Sequence, residues 1–134
     1  MTAAMTSKGT ILLLDDDNFI LTMYAAAFVQ SGFQAQAVLS PNEALQLLRD
    51  GYIADAILFD IRMPELDGFS FLDAIRREHL AEKAVKVALT NQSSEVEKAH
   101  AEELGADQYL VKATVIPSEV VNMIEEALAR RHAA

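Results

Sequence analysis

Short apolar runs that alternate with helix-forming stretches, most of them ending on a polar side chain able to do chemistry, set the tightest limit on how this chain can fold. Ile11-Leu12-Leu13-Leu14 stops at Asp15-Asp16-Asp17, and Ala56-Ile57-Leu58-Phe59 stops at Asp60. Val85 to Leu89 ends at Thr90, and Tyr109-Leu110-Val111 ends at Lys112. Runs this short and this uniformly apolar are the pattern of strands covered on both faces. Phe33 to Leu39 reads as a further strand, less apolar and therefore at an edge.

Helical signals fill the gaps. Asn18 to Gln30 places Phe19, Ile20, Met23, Ala27 and Phe28 at helical spacing, and Ser31-Gly32 closes the stretch. Ser40-Pro41-Asn42-Glu43 is a strong start, with a capping serine, a proline at the first helical position and a glutamate placed for a capping box. That helix runs through Leu45 and Leu48 to Gly51. A third covers about Phe69 to His79, after a loop containing Met63-Pro64 and Asp67-Gly68. A polar helix follows the capping pair Ser93-Ser94 and runs to Leu104, with Gly105 past its end. The last starts near Pro117, carries Val120, Val121, Ile124 and Leu128, and ends by Arg130 and Arg131, cations that offset the helix dipole.

Five strands alternating with five helices predict an α/β fold, an open doubly wound parallel sheet with helices on both faces. A closed eight-stranded barrel needs far more chain than 134 residues. No repeat or Pro/Gly-rich linker divides the sequence, so one domain is expected over residues 1–134, with its core at about 10–128.

Charge narrows the partners. Eleven Lys and Arg against twenty Asp and Glu give a formal net charge of -9, which repels nucleic acid phosphates and anionic lipid. Direct DNA binding and membrane contact are therefore not expected, whereas a cation or a basic patch on a protein is a fitting partner. The absence of cysteine excludes disulfides, thiolate metal sites and cysteine nucleophiles, and suits a reducing, cytoplasmic location. The apolar stretches are too short for a membrane span, and Met1 to Thr10 does not read as a secretory signal.

Asp15, Asp16, Asp60, Thr90 and Lys112 all fall at the carboxyl ends of expected strands, the edge where open α/β sheets bind ligands. If the first and third strands are neighbours, the three carboxylates converge and repel one another unless a cation intervenes. Oxygen ligands without His or Cys suit a hard ion, and Mg²⁺ is the natural one. The Thr90 hydroxyl and Lys112 ammonium fit a phosphate-like anion opposite it. Together they describe transfer of a phosphoryl group to a carboxylate. Singly, each residue has an ordinary role: a strand-end Asp is a turn former or cap, Lys112 a solvated loop residue, and Tyr109 strand packing. Asp17 and Asn18 read as first-turn residues, and Asp67-Gly68 as turn chemistry.

That ordered set resembles the receiver domain of two-component response regulators, of the single-domain chemotaxis-regulator-like type, over about Thr10 to Leu128. Asp60 to Gly68 (DIRMPELDG) is similar to the family's phosphoacceptor loop. Ile11 to Asp16 is similar to its first strand and acidic pair, Val87 to Thr90 to the strand ending in a switch hydroxyl, and Gly105 to Lys112 to the segment leading to its lysine. The resemblance implies the strand order 2-1-3-4-5 and a set of roles. Asp60 accepts the phosphoryl group from a phosphohistidine on a sensor histidine kinase or phosphotransfer protein. Asp16 ligates Mg²⁺, Asp15 helps through water, and Asp60 and the backbone carbonyl of Arg62 complete the protein ligands. Lys112 pairs with the phosphoryl oxygens, Thr90 swings to bond them, and Tyr109 follows inward, remodelling a face for a downstream protein target. The implied molecule is a phosphoacceptor rather than a turnover enzyme, and a monomer that phosphorylation could dimerise.

Three positions depart from that family's pattern. Asn91 follows Thr90 where a small residue is usual, and Arg62 is long and cationic; both bear on access to an acyl phosphate. Ala113 replaces the proline that usually follows the lysine through a cis bond. A non-proline cis bond costs roughly 2.5–4 kcal/mol against about 0.5–1 before proline, so a trans Lys112–Ala113 peptide is expected, with the flexible lysine stem still reaching the carboxylates. Two other readings compete. A haloacid-dehalogenase-like phosphatase could start at Asp15-Asp16-Asp17 but needs an acidic motif after the lysine, where only Glu119, Glu125 and Glu126 follow. A receiver-like interaction module that takes no phosphate is the other. His79, His100 and His132 are scattered, expected on helices and solvent-facing, which argues against a kinase role for the chain.

Overall fold

Along each central strand the side chains alternate between two separate apolar layers, and that alternation positions everything else. The computed structural model describes residues 7–91 and 94–133, with side chains through Arg131. Its elements are β1 (Thr10–Leu14), α1 (Asn18–Gln30), β2 (Gln34–Val38), α2 (Pro41–Arg49), β3 (Ala56–Asp60), α3 (Gly68–Arg77), β4 (Val85–Thr90), α4 (Glu95–Glu103), β5 (Gln108–Val111) and α5 (Pro117–Ala133). All strand pairs are parallel and the order is β2-β1-β3-β4-β5, the doubly wound sheet expected. Leu12, Leu14, Ile57, Phe59 and Ala88 face α2, α3 and α4, where Leu45, Leu48, Phe71, Leu72 and Ile75 cover them. Ile11, Leu13, Leu58, Val87 and Leu89 face α1 and α5, meeting Leu21, Phe28, Val120 and Ile124. A strand buried on both sides has no polar face to spare, which is why β1 and β3 read as unbroken apolar runs.

The helix starts are written locally. Asp17 is the N-cap of α1, accepting from the backbone N–H groups of Phe19 and Ile20, rather than a first-turn residue. Ser40 Oγ accepts from Glu43 N, while the Glu43 side chain makes no return bond, so only half of the expected capping box forms. Ser94 caps α4; Ser93 and the His132 side chain lie outside the described residues. α3 stops at Arg77, so His79 is not helical: it sits at φ 58 in the following turn and pairs with Glu82. His100 is exposed on α4 but stacks on Phe69, with ring centroids 4.4 Å apart.

Candidate functional site

β1 and β3 are adjacent, with Leu14 opposite Phe59, so the residues that follow them meet at the carboxyl edge of the sheet. Asp15, Asp16 and Asp60 each offer a carboxylate oxygen within 4.8 Å of the others. Asp15 and Asp60 are each only 3% exposed, whereas Asp16 is open to solvent. Lys112 Nζ lies 2.8 Å from Asp15 Oδ2 and 3.3 Å from Asp60 Oδ2. The Lys112–Ala113 peptide is trans, and a 3₁₀ turn over Lys112–Thr114 carries the lysine to the carboxylates from β5.

The electrostatics are those of a crowded, dry site. Burial, with the Asp15 charge beside it, pushes the Asp60 carboxyl up to about 6, against the relief given by Lys112 and the Arg62 N–H, 3.3 Å from Oδ1. Burial also raises Asp15, although Lys112 and the Asp17 N–H hold it down. Lys112 loses by burial but gains more from Asp15 and Asp60, so its ammonium is held above the ordinary lysine value. Asp15 Oδ2 is taken up by the Lys112 ammonium, whereas the buried Thr90 Oγ1 lacks a hydrogen-bond partner among the described residues. An unsatisfied buried oxygen is costly in a native interior and marks a place for a ligand. The exposed Asp16 carboxylate, with the buried carboxylates of Asp15 and Asp60 beside it, fits a hard divalent ion.

Glycine is required at Gly68, where a Cβ would stand 2.6 Å from the Asp60 carbonyl oxygen and 2.8 Å from Ile61 Cα. Gly68 N donates to Ile61 O at 2.8 Å, and Asp67 caps α3 by accepting from Ser70 N. The start of α3 is thus pressed against the end of β3, fixing the loop that follows Asp60. The expectation of plain turn chemistry at Asp67-Gly68 missed this close approach.

The second missed residue is Glu97, in the first turn of α4. Arg62 Nη2 lies 2.5 Å from Glu97 Oε2, and the Tyr109 hydroxyl donates to Glu97 Oε1 at 3.2 Å. Ser94 with glutamate three residues on is a capping-box pattern, yet both carboxylate oxygens are engaged elsewhere. Burial and then the Glu97 charge raise the Tyr109 hydroxyl. The carboxylates after the lysine do not join the cluster: Glu119 accepts from Ile116 N and Glu125 pairs with Lys8.

The family model of the response regulator receiver domain matches residues 11–125. The chain belongs to the response regulator receiver family. Receivers of this family are phosphoacceptor switches that bind Mg²⁺ at an acidic pocket, and in this receiver Asp15, Asp16 and Asp60 form an acidic cluster. Transcriptional regulatory protein CpxR of Escherichia coli K12 is 34% identical over 122 residues, covering 91% of this chain and 50% of CpxR. Transcriptional regulatory protein PrrA of Mycobacterium leprae is 34% identical over 127 residues, covering 95% of this chain and 53% of PrrA. The receiver thus spans about half the length of these curated relatives. A CheY-like receiver domain protein from Methanospirillum hungatei superposes with a TM-score of 0.85 at 24% identity, over 95% of this chain and 98% of that one. The Francisella response regulator 1452 receiver domain gives 0.83 at 26%, over 92% and 98%. No helix among the described residues is long and apolar enough to cross a membrane.

Proposed function

We propose that this receiver takes a phosphoryl group from the phosphohistidine of a sensor histidine kinase or phosphotransfer protein onto Asp60, in a Mg²⁺-dependent reaction, and that the modification switches a protein-interaction surface. The observation that carries this reading is the convergence of Asp15, Asp16, Asp60 and Lys112 at one sheet edge, around a carboxyl raised to about 6 and beside the buried, unpartnered Thr90 Oγ1. An Asp60 oxygen attacks phosphorus; the O–P bond forms as the P–N bond breaks, and the imidazole nitrogen keeps the electron pair. A carboxyl raised to about 6 is more basic than an ordinary aspartate yet still largely ionised at neutral pH, which favours attack. Lys112 holds the acceptor and balances charge on the phosphoryl oxygens, and the Thr90 hydroxyl supplies a donor to them. Asp16, Asp60, the Arg62 backbone carbonyl and, through water, Asp15 would hold Mg²⁺, which supplies positive charge to the carboxylates and the transferring group.

The reaction stops at one phosphoryl group per chain, with no sustained turnover of a phosphate ester. The printed names of CpxR and PrrA make them transcriptional regulators, but the -9 charge of this chain supports a protein rather than DNA as its own direct partner. Incubation with a small acyl phosphate and Mg²⁺, followed by intact mass measurement, tests the assignment. A gain of one phosphoryl mass, lost with chelator and lost in Asp60→Asn, is expected; undiminished labelling of Asp60→Asn would overturn it.

A further inference from the structure

Arg62 and Glu97 form a link that the phosphoacceptor chemistry does not require. Arg62 leaves the chain two residues after Asp60, its own N–H already on Asp60 Oδ1, and its guanidinium reaches across to α4. The Glu97 carboxylate it meets is only 18% exposed and also receives the Tyr109 hydroxyl, so one carboxylate ties the Asp60 loop, α4 and β5 together. Beside the pair lies an open groove of about 340 Å³ lined by Arg62, Met63, Pro64, Phe69 and Glu97, so the guanidinium is not packed in on that side.

We propose that Arg62 is a positioning residue that exchanges partners: it holds Glu97 while Asp60 is unmodified and moves to the phosphoryl oxygens once Asp60 carries them, releasing Glu97 and with it α4 and Tyr109. This rests on Asp60 being the acceptor. Phosphorylation replaces one carboxylate charge at Asp60 with a group of about −1.5 to −2 and three strong acceptor oxygens. Lys112, the cation already there, is engaged by Asp15 and Asp60. Arg62 is the next cation along the chain from the acceptor, and planar guanidinium suits phosphoryl oxygens. Its departure leaves Glu97 as a part-buried anion without its cation, a state relieved when the carboxylate turns to water. Tyr109 then loses one of the contacts on its hydroxyl, the one to Glu97, beside Thr90, whose own hydroxyl the phosphoryl group engages. The chemistry at Asp60 thereby reaches the α4–β5 surface through a swap of one ion pair.

The exchange makes a paired prediction that a merely structural ion pair does not. Breaking the link from either side loosens α4 alike but shifts phosphoryl affinity in opposite directions, because binding and release are reciprocal. The test uses the whole chain with Mg²⁺ and beryllium trifluoride as the phosphoryl stand-in, read by ¹⁹F NMR titration and by amide hydrogen exchange over residues 95–103. In the unmodified state, Arg62→Gln and Glu97→Gln should both exchange faster in α4 than the parent, and the stand-in should speed the parent's exchange toward theirs. Glu97→Gln, whose Arg62 is already free, should bind the stand-in several-fold more tightly; Arg62→Gln should bind it several-fold more weakly. Affinities that move in the same direction, or not at all, would overturn the exchange. A parent chain that fails to bind the stand-in would instead count against Asp60 as acceptor.

Discussion

The two ends of the same sheet treat the same side chain in opposite ways. At the amino edge, Asp55 Oδ2 accepts from Thr10 N at 2.8 Å and approaches Thr10 Oγ1 at 3.1 Å. Asp107 Oδ2 there accepts from Lys86 N at 2.8 Å and from Arg131 at 3.2 Å. At the carboxyl edge, Asp15 and Asp60 face each other with one shared lysine between two carboxylates and raised carboxyl pKa values. The amino-edge aspartates stitch β1 and β4 to their neighbouring loops. Those at the carboxyl edge store repulsion that a metal and a phosphoryl group can relieve. A carboxylate satisfied by the fold is structure, and one the fold leaves wanting is a site.

Substitution separates the two classes by sign. In chelator, Asp60→Asn should raise stability by up to about 3 kcal/mol, the value of roughly two pKa units. Asp55→Ala should instead lower it by about 1–3 kcal/mol, because Thr10 N loses its partner. Denaturant titrations of the two variants would break the comparison if both moved the same way.

Gly68→Ala sharpens it from the backbone side. A methyl group set against the Asp60 carbonyl should cost about 1–3 kcal/mol and move the acceptor loop, reducing phosphoryl uptake without removing it. Full uptake at unchanged stability would show that α3 does not fix the loop.

A pH series gives the smaller, graded effect. The folded pKa of Asp60 lies above its ordinary value of 3.8, so ionisation penalises the native state. That penalty is absent below pH 3.8, grows toward about 6 and is complete above it, so metal-free stability should fall across this window as pH rises. Asp60→Asn should flatten that part of the curve, and Mg²⁺ should offset the loss by binding the native state. The same slope in parent and variant would remove Asp60 as its source.

The carboxyl-edge cluster was legible in the sequence because strand periodicity is short and strict: once β1 and β3 are neighbours, Asp15, Asp16 and Asp60 have nowhere else to go. The trans Lys112–Ala113 bond was legible too, from the cost of the alternative. Glu97 was not, since an exposed-looking glutamate three residues after a serine is the ordinary signature of a capped helix, and its engagement by Arg62 depends on tertiary contact. Gly68 was hidden for a related reason: its backbone φ is not left-handed, so only the proximity of Asp60 O reveals the need for glycine. His79 read as helical because nothing in the sequence marks the left-handed turn that follows Arg77.

The most direct test of the claim that this edge is held in repulsion is the titration of the Asp60 carboxyl itself, followed by carbon NMR of the side-chain carboxyl in chelator. The account predicts a midpoint near 6, well above the ordinary 3.8, and a fall when Mg²⁺ is added. A midpoint near 3.8 without metal, unmoved by Mg²⁺, would contradict it.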